Sequence, residues 1–109
     1  MKIAIVGSRN YSKEGNVADF VTSLPEDAEI VSGGADGVDT WAIKHAGMRA
    51  TTVFAAQWNL FGKGAGMRRN STIVEYADEV YAFWDGLSRG TLDTIHKAAK
   101  AGKLRGIFV

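Results

Sequence analysis

Residues 31–42 read VSGGADGVDTWA, and this stretch decides how the chain folds. An apolar run ends at Val31, a segment rich in glycine and aspartate follows, and an amphipathic run begins near Asp36. Since short apolar runs bounded by glycine are typical of buried strands, the pattern predicts a strand, a tight turn and a helix. The glycines suit either the turn itself or a phosphate group that lies against the backbone.

The same alternation of apolar and amphipathic runs extends over the rest of the chain. Strands are predicted over residues 2–6, 28–31, 51–55, 79–84 and 104–109. Helices are predicted over residues 15–24, 36–46, 67–77 and 91–101, and residues 57–66 are predicted as a glycine-broken loop. Because strands alternate with helices throughout, we predict an α/β fold of three layers with a mainly parallel sheet of about five strands.

The composition is that of one globular domain, which we assign to residues 1–109. The absence of cysteine excludes disulfides and thiolate zinc sites and favours a cytoplasmic location. Residues 1–10 hold too short an apolar run for a signal peptide, and no run approaches the roughly 18 apolar residues of a membrane span.

The net charge is only +1, whereas a duplex-DNA binder is usually more basic. We therefore expect neither nucleic acid nor a membrane as a partner.

Three polar loops are expected to meet at one edge of the predicted sheet. Residues 7–10, 32–37 and 85–90 each follow a predicted strand. Ligands of open α/β sheets bind outside the carboxyl ends of the strands. The sequence therefore predicts a single ligand site formed by these loops.

Residues 31–42 do not match the common nucleotide-binding fingerprints. Val38 follows Gly37 where a P-loop requires lysine, and the glycine spacing of the dinucleotide motif is absent. A glycine turn before a helix still exposes free amides and the positive end of the helix dipole, which suits an anion. Asp36 and Asp39 leave two interpretations open, because they suit either capping of the helix or contact with a ligand.

Residues 84–91, WDGLSRGT, have a similar design. Gly86 and Gly90 allow close approach of the backbone. Ser88, Thr91 and the following backbone amides can donate hydrogen bonds to an oxyanion. Two alternatives remain for Arg89: its side chain forms a charge-assisted hydrogen bond with the ligand, or it points into water.

Three further arginines and one tryptophan are candidates for ligand contacts. Arg9 follows the first strand and suits either a phosphate or a solvated turn. Arg68 and Arg69 lie at the start of a predicted helix, where the helix dipole disfavours cations. Either a bound anion or an acidic neighbour would offset this unfavourable placement. Trp84 closes a strand and is the preferred candidate for stacking on a base.

Several short motifs occur in an order that resembles a known superfamily. They are Gly7-Ser8-Arg9, Ser32-Gly33-Gly34-Ala35 with Gly37 and Asp39, Trp58 through Gly62-Lys63-Gly64-Ala65-Gly66, Arg69-Asn70, Ala77-Asp78, and Gly90-Thr91. In this order they resemble the SLOG superfamily, specifically its small YspA-like branch, over essentially the whole chain. The resemblance implies a Rossmann-like fold that binds a nucleotide or a nucleotide-derived phosphorylated ligand, and it suggests a homo-oligomer.

Relatives of the LOG type are phosphoribohydrolases that cleave the N-glycosidic bond of nucleoside monophosphates. Arg69 looks like the counterpart of an arginine in their hallmark, and Gly90-Thr91 matches their glycine-threonine step. Thr94 stands where their glutamate is expected, with Asp93 one place earlier. If the chain is an enzyme, it is expected to be a nucleotide N-glycosidase with Arg69, Asp85 and Asp93 as catalytic candidates.

Binding of single-stranded nucleic acid is a further alternative, since the DNA-processing relatives bind single strands. Trp58 and Phe61 would then stack on bases while arginines contact the backbone. The main prediction is a nucleotide-derived small molecule as ligand, with no cofactor and no metal. The candidate ligand-binding residues are Gly7, Ser8, Arg9, Ser32, Gly33, Gly34, Asp36, Gly37, Asp39, Arg69, Asn70, Trp84, Asp85, Gly86, Ser88, Arg89, Gly90 and Thr91.

Overall fold

Strands and helices alternate along residues 1–109, all of which the computed structural model describes. The strands are β1 (Lys2–Gly7), β2 (Glu29–Ser32), β3 (Thr51–Val53), β4 (Glu79–Phe83) and β5 (Leu104–Phe108). The helices are α1 (Glu14–Ser23), α2 (Val38–Lys44), α3 (Trp58–Phe61), α4 (Ala65–Tyr76) and α5 (Arg89–Lys100), with a 3₁₀ turn over Gly62–Gly64. No helix of the structure combines the length and the apolar character that crossing a lipid bilayer requires.

The five strands form one sheet in the order β3-β2-β1-β4-β5, and every neighbouring pair is parallel. The predicted α/β fold with a parallel sheet is therefore confirmed, and the strand order is Rossmann-like. The order reverses between β1 and β4, where Gly7 lies beside Phe83 in register. In open α/β sheets this reversal opens a crevice for ligands at the carboxyl ends of the strands.

Two apolar cores cover the two faces of the sheet. Because side chains alternate along a strand, Ile5 of β1 points to the core beneath α1 and α2, and Val6 points to the core beneath α4 and α5. The first core includes Val17 of α1, and the second includes Ile73 of α4. With both faces covered, the central strand β1 is apolar without interruption from Ile3 to Val6, which explains why it was predictable from a short apolar run.

The structure corrects two predicted segments near the carboxyl edge. Helix α2 begins at Val38 instead of residue 36, because Gly37 has a φ of +82° that no helical residue adopts. The prediction of a loop over residues 57–66 is wrong, since this segment holds α3, the 3₁₀ turn and the first turn of α4. The glycines of this segment predicted interruptions of helical structure. Among them, only Gly62 has a positive φ, of +55°, which lies outside the helical region.

Candidate functional site

A cavity of about 480 Å³ lies at the carboxyl edge of the sheet, at the reversal of the strand order. Val6 and Gly7 at the end of β1 form its floor together with Ile73 of α4, and the first turn of α5 forms one wall. Cavities that hold small molecules have volumes of about 300–1,000 Å³. The volume and the place in the fold are therefore those of a small-molecule or nucleotide site.

Half of the predicted ligand-binding residues line this cavity. They are Gly7, Arg9, Asp39, Arg69, Asn70, Ser88, Arg89, Gly90 and Thr91, and the catalytic candidate Asp93 lies in the same wall. The remaining predicted residues do not line it: Ser8, Ser32, Gly33, Gly34, Asp36, Gly37, Trp84, Asp85 and Gly86. Most of the second group lies in the two glycine loops, whose polar atoms bind other parts of the protein.

Asp39 organises the loop that follows β2. Its carboxylate is buried and accepts backbone amides from Gly7 at 3.2 Å, Gly33 at 3.2 Å and Ala35 at 3.3 Å. Burial raises the pKa of Asp39 from 3.8 to about 6, against the opposing effect of these amides and of Arg69. The amides that the sequence assigned to a ligand phosphate are therefore used by a carboxylate of the protein itself.

Asp36 has no comparable role in this loop. The capping alternative for Asp36 is wrong, because Gly37 is the N-cap residue of α2 and no side chain caps that helix. The backbone beside Gly37 is filled by the chain itself, since a Cβ atom there would lie 2.6 Å from the carbonyl oxygen of Arg9. The turn after β2 is therefore packed against the turn after β1.

The loop after β4 is also held by its own side chains. Asp85 accepts the amides of Leu87 at 2.9 Å and Ser88 at 2.8 Å, and the first of these contributes most to a lowered Asp85 pKa. Ser8 Oγ donates to Asp85 at 3.1 Å and shares a 3.2 Å hydrogen bond with Thr91 Oγ1. This network joins the carboxyl ends of β1 and β4 beneath the cavity.

The first turn of α5 presents backbone amides to the cavity. Ser88 caps the helix by accepting the amide of Thr91 at 3.3 Å. Arg89 and Gly90 precede it in the first turn, where an amide has no acceptor inside the helix, and both residues line the cavity. Helix α5 has 12 residues, so the positive end of its dipole adds to the attraction for an anion.

Asn70 connects α4 to α5 at the cavity wall. Its side-chain amide donates to the Gly90 carbonyl at 3.2 Å and to Asp93 Oδ2 at 3.1 Å. Lys97 pairs with the same Asp93 oxygen at 2.8 Å. The two carboxylates proposed as catalytic, Asp85 and Asp93, are therefore both engaged by groups of the protein, and this arrangement gives no support to glycosidic bond cleavage.

Three basic side chains face the cavity without an acidic partner. Arg9, Lys63 and Arg89 all line it, and none of them forms an ion pair. Lys63 was absent from the predicted site, because its place at the cavity results from the 3₁₀ turn that the sequence pattern concealed. The cavity therefore combines free cations with the amides of α5, which is an environment for phosphate groups.

The aromatic residue of this cavity is Trp58, whose exposed fraction is 59%. Trp84, the residue preferred from the sequence, does not line the cavity. Its indole N–H donates to the Ser88 carbonyl at 3.0 Å, and its ring packs against the core beneath α4 and α5. The structure also groups no three His, Asp or Glu side chains in a way that could hold a metal ion.

Fold and cavity define the chain as a Rossmann-like α/β domain with a cation-lined cavity at the reversal of its strand order. The family model for DNA recombination-mediator protein A matches residues 1–66. The chain belongs to this family, and the predicted resemblance to the SLOG superfamily is confirmed. No curated protein matches the sequence significantly.

A solved structure of DNA processing protein A from Helicobacter pylori has the same fold. The two chains are 24% identical with a TM-score of 0.78, and the match covers 97% of this chain. The chain spans 64% of the length of the Helicobacter pylori protein. That protein is described for its unique single-stranded DNA binding mode.

The expectation that nucleic acid is not a partner is wrong. It is overturned by membership of the DNA recombination-mediator protein A family and by the similarity to a protein with a single-stranded DNA binding mode. The expectation relied on the net charge of +1, which averages over the whole surface. Single strands bind to local grooves of positive charge with aromatic side chains, and such a local surface is compatible with a neutral total.

Proposed function

We propose that this chain binds single-stranded nucleic acid and that one nucleotide of the strand occupies the cavity. The observation that carries the proposal is the exposed Trp58 at a cavity with three unpaired cations, Arg9, Lys63 and Arg89. Proteins that bind single strands combine aromatic side chains, on which bases stack, with cations that follow the phosphates. Family membership supports the same function.

The amides at the start of α5 complement this arrangement. Arg89 contributes both a guanidinium group and a backbone amide to the same wall as Gly90. A phosphate at this wall would receive backbone hydrogen bonds and face the positive end of the helix dipole. Neither interaction depends on the base, so we expect binding with little sequence preference.

Titration of a fluorescein-labelled oligothymidylate, followed by anisotropy, tests the function directly. We expect saturable binding that weakens as salt is raised, since released counterions contribute to the affinity. Because base stacking contributes about 1–3 kcal/mol, Trp58→Ala should weaken binding by roughly five-fold or more. Absence of binding at low salt, or full affinity of the variant, would contradict the proposal.

A matched control variant is available at an exposed apolar residue outside the cavity. Leu87 is 85% exposed and does not line the cavity, so Leu87→Ala removes exposed apolar area without removing a stacking ring. We expect this variant to keep the affinity of the wild-type chain. Equal losses in Leu87→Ala and Trp58→Ala would show that the effect of Trp58 is not local.

A free nucleotide-derived ligand in the same cavity is the second candidate function. It is favoured by the volume of about 480 Å³, which suits a single nucleotide. Calorimetry with nucleoside monophosphates, ADP-ribose and cyclic nucleotides distinguishes the two functions. A mononucleotide that binds at least as tightly as an oligonucleotide would favour the small-molecule function, whereas much tighter binding of the oligonucleotide would favour the single-strand function.

A further inference from the structure

A second cavity of about 390 Å³ adjoins the first at the carboxyl end of β3. Its walls come from Val53 and Phe54 near β3, Phe61 of α3, and Arg68 and Arg69 of α4. Arg69 lines both cavities and is therefore the wall between them. The two cavities are thus neighbours along the edge of the sheet.

Arg68 and Phe61 form the outer side of this second cavity. The guanidinium carbon of Arg68 lies 4.2 Å from the centroid of the Phe61 ring. A guanidinium group stacked on a ring is attracted through its face and keeps the N–H groups at its edge free. Arg68 forms no ion pair, so these donors are available to a ligand.

The charge and polarity of the second cavity select for a phosphorylated ligand with an apolar or aromatic part. The residues that line it include two arginines and no acidic residue. Phe61 is 41% exposed and Val53 is 47% exposed, so exposed apolar surface lies beside these cations. A base can cover such a surface while its phosphate receives charge-assisted hydrogen bonds from the arginines.

We infer that the second cavity holds the next nucleotide of the strand whose first nucleotide occupies the main cavity. Arg69 would lie between the two nucleotides, Arg68 would bind the phosphate of the second, and Phe61 would contact its base. This inference rests on the proposed single-strand function. The shared arginine wall is the observation that links the two cavities into one path.

Calorimetric affinities for thymidine monophosphate, the dinucleotide and the trinucleotide test the inference. We expect the dinucleotide to bind at least about five-fold more tightly than the monophosphate, the lower end of what stacking of one base contributes. Arg68→Gln and Phe61→Leu should remove this gain, so that each variant binds the dinucleotide no more tightly than the monophosphate. Both side chains are exposed, so thermal unfolding should show that the variants remain folded.

Two control variants match these changes. Lys100→Gln removes one exposed charge at the far end of α5, and Leu60→Ala removes an exposed apolar side chain of α3 that does not line the second cavity. Both controls should keep the gain between monophosphate and dinucleotide. A gain that persists in Arg68→Gln and Phe61→Leu, or is absent from the wild-type chain, would overturn the second site and leave the main cavity intact. Failure of every nucleotide and oligonucleotide to bind would overturn the proposed function together with this inference.

Discussion

Arg69 Nη1 donates a hydrogen bond of 2.5 Å to the carbonyl oxygen of Gly33. The amide of the same glycine donates to Asp39 at 3.2 Å, so Gly33 lies between a cation of α4 and a carboxylate of α2. A Cβ atom at this position would lie 2.7 Å from Arg69 Nη1 and 2.8 Å from Asp39 Oδ2. The side chain is absent here because the chain's own charged groups occupy the space.

Gly33→Ala should destabilise the protein. Its methyl group would displace Arg69 or Asp39, and such overpacking typically costs about 1–3 kcal/mol. Urea denaturation should show a lower free energy of unfolding by this amount. Gly15→Ala is the matched control, because nothing lies within 4 Å of a Cβ atom at this helical position. The control should gain up to about 1 kcal/mol in free energy of unfolding from the helix propensity of alanine. If Gly33→Ala leaves the free energy of unfolding unchanged, the packing around Gly33 is not as described.

The pKa of Asp39 should make stability depend on pH in an unusual direction. Burial raises this pKa from 3.8 to about 6, so the native state holds a proton that the unfolded state has released within that interval. Stability contributed by Asp39 is therefore highest below about pH 4 and falls as pH rises to about 6, by up to about 1.4 kcal/mol per pH unit.

Urea denaturation of the wild-type chain and Asp39→Asn from about pH 4 to about pH 7 isolates this contribution. The wild-type chain should lose stability relative to the variant as pH rises, because the variant has no proton to release. NMR titration of the Asp39 carboxyl carbon should give a midpoint well above that of Asp85, whose pKa is lowered by backbone amides. A stability difference that stays constant or grows with pH would refute the assignment.

Lys63→Gln should reduce the salt dependence of oligonucleotide binding. Each phosphate contact on a single strand contributes about 0.7 to the slope of log affinity against log salt. Since Lys63 lines the cavity without an acidic partner, its loss should lower the magnitude of the slope by about this amount. Lys100→Gln, which removes the same charge away from the cavity, should leave the slope unchanged. Anisotropy titrations at several salt concentrations make the comparison.

Asn70→Leu should destabilise the protein by about 1–3 kcal/mol, because it removes two hydrogen bonds that a buried side chain makes between α4 and α5. Asn70 is only 6% exposed and donates to both Gly90 and Asp93. Ser71→Ala, at the next position of α4, loses only a bond to a carbonyl of its own helix and should change stability by less than about 0.5 kcal/mol. Similar free energies of unfolding for both variants would show that Asn70 does not hold α4 against α5.

The order of strands and helices was predictable because it depends on local patterns. Buried parallel strands are short apolar runs, and α5 shows its amphipathic period in the sequence. The position of the main cavity at the carboxyl edge followed from this order alone. Boundaries failed where glycine was ambiguous, since Gly37 breaks the helical conformation whereas Gly64 does not.

The identity of the cavity residues was predictable only in part. Arg9, Arg89 and Asn70 belong to motifs that follow a strand or begin a helix, so their place at the edge was expected. Lys63 was missed because its position results from the 3₁₀ turn between α3 and α4. The sequence favours Trp84 over Trp58 as a stacking residue, yet Trp58 is the tryptophan that lines the cavity, because a sequence does not show that Trp84 is fixed to the Ser88 carbonyl.

The sequence by itself determined the parallel α/β fold and the edge of the sheet that holds the main cavity, because strand and helix patterns are local properties of the chain. Only the tertiary structure decided what the stretch VSGGADGVDTWA does. Asp39 and Arg69 are 30 residues apart in the chain, and folding places both beside Gly33. The glycines therefore make room for this pair, and the free cations of the neighbouring loops are left for the phosphates of a ligand, as we propose.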